Sequence, residues 1–232
     1  MAIRFYTNCV LKPGFLSLTG PEAHHLAVVC RFRPGDEVCL FNGDGHEYPA
    51  RIETVAKKAV ELTILDSQSP MRELPFSLHV AMPLPKGDRA QFLIEKLTEM
   101  GVTTYTPLVT RYSVVQPREA KLEKLQRYVI EASKQCGRNV LMQVSSIMNW
   151  EDFVRTCSAT KKWLAHLQPS APMPMKSESE STAIVIGPEG GFTEEEVTLA
   201  VANGWQCVNM GPRIMRMETA ALVLAAWVIG GQ

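Results

Sequence analysis

The sequence predicts a small β-barrel followed by a larger α/β domain on a parallel sheet. Three observations carry this. Turn signals crowd the first seventy residues, strands alternate with helices beyond them, and Ser67–Pro75 between carries two prolines and few large side chains. The expected domains are 1–70 and 71–232. With 46% apolar and 21% charged residues in 232, the chain has an ordinary globular balance and can bury roughly 70% of its unfolded surface.

In the first part the turns are Lys12-Pro13-Gly14, Thr19-Gly20-Pro21, Arg33-Pro34-Gly35-Asp36 and Asn42-Gly43-Asp44-Gly45. The last of these joins Glu37–Phe41 to His46–Ile52 as a β-hairpin, and Val60–Leu65 has strand composition. Short strands at close spacing suggest a small antiparallel barrel.

Beyond the linker Ser77–Met82 reads as a strand. Asp88 then starts a helix, with Gln91 three residues on in a capping-box arrangement. Ala90, Leu93, Ile94, Leu97 and Met100 recur at helical spacing, and Gly101 stops it. Thr103–Leu108 is the next strand. Arg118–Cys136 is a longer helix with Leu122, Leu125, Val129, Ala132 and Cys136 on one stripe, closed by Gly137. Lys162–Leu167, Ala183–Gly187 and Trp205–Met210 are further strands. The helix between the last two is capped by Thr193 with Glu196 at N3, and Gly204 ends it. Such alternation means a parallel sheet covered on both faces. The Pro- and Ser-rich stretch 168–182 reads as a mobile surface loop.

Several classes are excluded. Lys plus Arg equals Asp plus Glu at 24 each, so no overall field drives the molecule onto nucleic acid. The N-terminus lacks the apolar core of a signal peptide, and the longest apolar run, Ala220–Ile229, is about half a bilayer span. Six scattered cysteines with no CxxC pair and no histidine at ligand spacing read as reduced, mostly buried thiols in a cytoplasmic protein without a metal.

Chemistry is expected beyond the carboxyl ends of parallel strands. Ile184–Thr193 runs strand, glycine loop, capped helix. Gly187, Gly190 and Gly191 permit φ > 0 and close backbone approach. The phosphate-binding lysine of a P-loop is missing, and Glu189, Glu194, Glu195 and Glu196 would repel a phosphate. A neutral or cationic ligand fits better, and an ordinary strand–helix turn is the alternative. Met210–Ala220 leads into a wholly apolar final helix that Thr219 can cap. Arg213, Arg216 and Glu218 place three charges beside a buried segment, so an Arg–Glu pair is expected. Two arginines around one glutamate leave one for an anionic substrate. Arg213 stays open between these roles.

On helix 118–136, Lys124, Arg127 and Lys134, with Arg138 beyond, lie two residues out of step with the apolar stripe, roughly on the opposite face. Residues 71–145 hold 11 basic and 7 acidic side chains, a basic middle suited to phosphates or simply a solvated face.

GPEGGFTEEE (Gly187–Glu196) followed by MGPRIMRMETA (Met210–Ala220) resembles the two C-terminal signatures of the SPOUT-class methyltransferases that modify N3 of a uridine in 16S ribosomal RNA. Arg31–Ile52, Lys86–Val115 and Glu131–Arg138 match the same family in the same order. The resemblance implies a PUA-like N-terminal barrel and a C-terminal SPOUT α/β domain with a trefoil knot. It also implies S-adenosylmethionine (SAM) as cofactor, a homodimer, and the family target uridine 1498 of the small ribosomal subunit. Carried over by residue, SAM would be wrapped by Leu167, by Gly187, Pro188, Glu189, Gly190 and Gly191, and by Met210, Gly211, Ile214, Met215, Arg216 and Thr219. RNA would meet Arg31, Arg33, Lys86, Arg89, Arg111, Lys124, Arg127, Lys134 and Arg138. Arg216 and Arg138 would face the uridine, with Glu218 as an orienting carboxylate. Family members usually carry proline shortly after the match to Arg138, where this chain has Leu141-Met142, and leucine at Met210.

A guanidinium against O2 or O4 would stabilise the uracil anion that methylation at N3 requires. The competing readings are a SPOUT ribose 2′-O methyltransferase and a non-catalytic RNA-binding assembly factor.

Overall fold

A computed structural model of the chain describes residues 3–56, 58–114, 119–166 and 181–230. Its contacts divide it into two compact units. The first is Met1–Glu73 with Ile130–Leu141, and the second is Leu74–Val129 with Met142–Gln232.

The first unit carries β1 (Arg4–Tyr6), β2 (Gly14–Thr19), β3 (Glu37–Phe41), β4 (Tyr48–Val55) and β5 (Ala59–Ile64) in the order β1-β3-β4-β5-β2. A short helix α1 (Gly20–His24) runs into a π-turn, His25–Val29. The β3–β4 hairpin forms as expected, with Glu37 opposite Arg51 and Leu40 opposite Tyr48. Alternation buries Ala50 and Ile52 of β4 with Val60, Leu62 and Ile64 of β5 in one core. The sheet is mixed, where an antiparallel one was expected, because β1 pairs parallel with β3. Parallel pairing needs a long crossover, and residues 7–36 supply it.

That pairing sets Arg4 opposite Cys39 and buries it. A buried guanidinium is tolerated when acceptors surround it. Arg4 donates to Glu47 Oε2 at 2.8 Å, to the Arg138 carbonyl at 3.2 Å and to Asn139 Oδ1, and it lies 4.7 Å over the Phe41 ring. Arg72 joins from the other side, donating to Glu47 at 2.6 Å and to the Gly137 carbonyl at 2.9 Å. Arg72 first, and Arg4 after it, hold the Glu47 carboxyl below its usual range.

The second unit is a seven-stranded parallel sheet. Its strands are β6 (Leu78–Met82), β7 (Thr104–Val109), β8 (Gln143–Val144), β9 (Met148–Asn149), β10 (Lys161–Ala165), β11 (Thr182–Ile186) and β12 (Gln206–Val208). The order is β12-β10-β11-β6-β7-β8, with β9 also on β7. Its helices are α2 (Asp88–Glu99), the part of α3 (Glu119–Cys136) up to Val129, α4 (Trp150–Thr156), α5 (Glu194–Ala202) and α6 (Met217–Ile229). Chain order reverses between β6 and β11.

Two helix starts differ from expectation. Gly87 takes φ +61° and is itself the residue before α2, so Asp88 already lies inside the helix and caps nothing. Gln91 bonds Glu95 instead. Helix α6 begins at Met217 with Arg216 at its cap position, which leaves Thr219 within the first turn. The α5 capping box is present. Strands β1, β2, β8 and β9 and helix α4 leave no sequence signal, because most are too short to show a period. Of the cysteines, Cys39 and Cys207 are buried, Cys30, Cys136 and Cys157 are half-buried and Cys9 is exposed, fewer buried than expected. Residues Arg118 and 168–180 lie outside the described residues, and Thr182 already belongs to β11. Among the described residues no helix is long and apolar enough to cross a membrane.

His79 on β6 accepts or donates one bond to Thr106 Oγ1 at 2.8 Å and meets Phe153 edge-on at 5.2 Å. Burial pushes its pKa down from 6.5 to about 4. Above 6.5 both states are neutral and stability is full. Between 6.5 and about 4 the unfolded chain binds a proton that the folded one refuses, so stability falls as pH falls. The loss should reach about 2 kcal/mol between pH 7.5 and pH 5. Urea unfolding of the wild type and of His79→Gln at both pH values checks this, and equal pH slopes would refute it.

Candidate functional site

Strand register brings three strand ends into one row. Ala165 of β10 stands opposite Ile186 of β11 on one side and Val208 of β12 on the other. These three residues floor a pocket of about 540 Å³, within the range of small-ligand sites. Its walls are the glycine loop Gly187–Phe192 and the segment from Met210 through Arg213, Ile214, Met215 and Arg216 to Met217 and Ala220. His166 closes the β10 side.

The glycines of the loop act for different reasons. Gly191 alone of the three has positive φ, at +71°, and its N–H closes a turn onto the Pro188 carbonyl at 2.9 Å. At Gly187 a Cβ would stand 2.9 Å from Phe192 Cε2. Phe192 in turn packs on Trp150, ring centroids 4.6 Å apart, so Gly187 makes room for an aromatic pair. At Gly190 the neighbour is Tyr112. In the second wall Gly211 takes φ +98° and donates to Asn209 Oδ1 at 2.9 Å.

The glutamates do not ring the loop. Glu189 lines the pocket, whereas Glu194 and Glu195 sit exposed in the first turn of α5 and Glu196 is absorbed by the capping box. Glu218 is buried with an Oε2 that has no hydrogen-bond partner among the described residues. The cation near it is Arg89, whose Nη1 is 3.8 Å from Glu218 and 3.6 Å from Glu189. Neither Arg213 nor Arg216, both exposed, pairs with it as expected, and among the described residues neither makes an ion pair. Two guanidiniums are thus left at the pocket wall.

Of the residues expected at a ligand, Gly187, Pro188, Glu189, Gly190, Gly191, Met210, Ile214, Met215 and Arg216 line this pocket. Gly211 and Thr219 do not, and Leu167 lies outside the described residues. Unread were Ala165, His166, Ile186, Phe192, Val208, Met217 and Ala220. The signal for the first of these was the shared carboxyl end of three strands, visible only once register is known.

The basic residues separate into two kinds. Lys86, Arg111, Lys124 and Arg127 of the second unit, and Arg31 and Arg33 of the first, are exposed. Arg138 and Lys134 are not free surface cations. Arg138 is 3% exposed and donates to both oxygens of Glu73, at 2.6 Å in its shortest bond. Lys134 is held by Glu22 at 3.0 Å and by Glu131 at 3.3 Å.

Residues 72–229 match the model of the RNA methyltransferase domain, and residues 18–65 match that of the RNA methyltransferase PUA domain. The chain is 34% identical to the ribosomal RNA small subunit methyltransferase E of Synechocystis, over 92% of this chain and 72% of that protein. With the Bacillus subtilis protein of the same name the identity is 32%, covering 89% and 86%. Two solved structures are similar. One is a methyltransferase from Legionella pneumophila in complex with SAM, TM-score 0.91, 33% identical over 100% and 98% of the chains. The other is the ribosomal RNA small subunit methyltransferase E of Neisseria gonorrhoeae bound to SAM, TM-score 0.89, 32% identical over 97% and 96%.

Gly187→Ala should therefore cost about 1–3 kcal/mol, the usual penalty for overpacking, because Phe192 cannot yield without disturbing Trp150. Gly191→Asn, with open space and only a left-handed φ to meet, should cost less than Gly187→Ala. Chemical denaturation of the pair checks the order, and a reversed order would overturn this account of the loop.

Proposed function

Since the chain belongs to the ribosomal RNA small subunit methyltransferase E family, we propose that it methylates N3 of a uridine in 16S ribosomal RNA, uridine 1498 in the family, using S-adenosylmethionine. The observation that carries this reading is the pocket at the β10–β11–β12 strand ends, with two guanidiniums at its wall that have no ion-pair partner among the described residues. The lining suits such a ligand. Ile186, Val208 and Met210 offer apolar surface to a purine, the glycine loop offers backbone groups, and Glu189 offers a negative charge to a cationic centre. When bound, SAM would supply an electrophilic methyl group.

N3 of uracil is a poor nucleophile until its proton leaves, so the chain must stabilise an imide anion. Arg216 stands at the pocket wall and is free to place its planar fork against O2 or O4. Arg138 is the second choice, since Glu73 already holds its guanidinium. Glu218 faces Arg89 and is an orienting carboxylate rather than the base.

The same reading gives the second domain a trefoil knot and the protein a homodimer. Helix α6 is apolar from Ala220 to Ile229, yet Leu222, Val223, Trp227 and Ile229 are only half-buried and Ala226 is exposed. A helix apolar on all sides is stable when covered on all sides, and a second copy would cover this stripe. Light scattering at micromolar concentration should give about twice the 25.8 kDa chain mass, and a clean monomer would refute the dimer.

For the chemistry, Arg216→Ala should keep most SAM affinity by calorimetry while turnover falls by about 10²–10³. Higher pH should restore part of the loss, and Arg216→Lys should rescue poorly. Methylation at N3 blocks the pairing edge, so the product must stop reverse transcription. A methyl group on ribose instead identifies the 2′-O reaction, and absence of SAM binding identifies a non-catalytic RNA-binding protein.

A further inference from the structure

Gly190 has no conformational need to be glycine, since its φ lies outside the left-handed region. What crowds a side chain there is Tyr112. A Cβ at position 190 would stand 3.1 Å from Tyr112 Cβ and 3.3 Å from its Cγ. The root of this tyrosine is thus seated on the backbone of the glycine loop, while the residue remains 50% exposed.

The seat is built in advance. Thr110–Ser113, which follows β7, closes on itself through Ser113 N–H to the Thr110 carbonyl at 3.2 Å and Thr110 N–H to Ser113 Oγ at 2.9 Å. Glu196, only 8% exposed, then ties that turn to the glycine loop. Its Oε1 accepts from Arg111 N–H at 2.9 Å and its Oε2 from Thr193 N–H at 2.9 Å. A buried carboxylate with an amide of the turn on one oxygen and the amide that directly follows the glycine loop on the other links the two, and charge-assisted bonds of this kind are strong. Trp150 Nε1 holds the Glu196 carbonyl at 3.2 Å, which anchors the clasp to α4.

We propose that Tyr112 is a stacking platform for an unstacked base of the RNA substrate at the rim of the pocket, and that Glu196 is the positioning residue that holds it there. This rests on the RNA methyltransferase reading above. A half-exposed aromatic ring seated on the glycine loop, next in the chain to the exposed cation Arg111, supplies the two contacts single-stranded RNA uses: a surface for a base and a charge for a phosphate.

The test uses the full-length protein and a single-stranded, uridine-containing RNA oligonucleotide carrying one fluorescent base analogue, titrated at fixed salt. Tyr112→Ala should weaken RNA binding roughly five- to a hundred-fold, the range for loss of one base stack, and abolish the quenching that stacking causes. Its SAM affinity and melting temperature should stay as in the wild type. Tyr112→Phe and Tyr112→Trp should bind within about twofold of wild type and keep the quenching. Glu196→Gln, which exchanges one acceptor for a donor, should weaken RNA binding when Tyr112 is present and add nothing in the Tyr112→Ala background. RNA affinity of Tyr112→Ala within twofold of wild type, or equal losses for Phe and Ala, would overturn the proposal. Binding and quenching need no turnover, so a protein that stacks RNA but transfers no methyl group overturns the functional reading and leaves this inference standing. Normal methylation with a silent Tyr112→Ala does the reverse.

Discussion

Strand β11 has every residue from Thr182 to Ile186 buried, hydrogen-bonded to β10 on one side and β6 on the other. A chain leaving such a strand is sealed by neighbours on both edges, and its next backbone groups have no ladder to join. They must turn out of the sheet. The turn is made in three steps: a residue without Cβ beside Phe192, a left-handed glycine, and a helix capped by its own third residue. The void above Ala165, Ile186 and Val208 is what this exit leaves behind, so the pocket follows from the burial of one strand.

Charge around that void is sorted by backbone commitments. Helix α5 draws Glu194, Glu195 and Glu196 into its first turn, where carboxylates complement the orphan amides. Only Glu189 of the four remains on the pocket wall. Arg89 approaches from α2 and stands between Glu189 and Glu218 at distances too long for firm bonds. Arg213 and Arg216 stand exposed at the same wall, and among the described residues neither has an ion-pair partner.

What could be read from sequence was local. The glycine loop, the Thr193–Glu196 capping box and the positions of most strands follow from neighbours within a few residues, and they were legible. Periodicity places Lys134 and Arg138 on a basic face, but their partners are Glu22 and Glu73, 112 and 65 residues away. Helical periodicity places a side chain on a face but says nothing of what covers that face. The Arg213/Arg216 pairing with Glu218 failed likewise, since Arg89 lies on a helix more than a hundred residues earlier. Asp88 and Thr219 were placed as caps by residue type, but the preceding backbone started each helix sooner.

The Arg4 guanidinium is completed by the Arg138 carbonyl and by Asn139, 134 and 135 residues further along. During synthesis the first 73 residues emerge long before those acceptors exist, and at ~5–20 residues per second the wait lasts seconds. Over that interval Glu47 and the Phe41 ring are available to the buried charge, but two of its three oxygen acceptors are not. The N-terminal unit is thus a domain in space but not in time: it reaches its final form only after Leu74–Val129 of the second unit and then Ile130–Leu141 have been translated. An isolated fragment ending at the apparent linker would inherit the same deficit permanently.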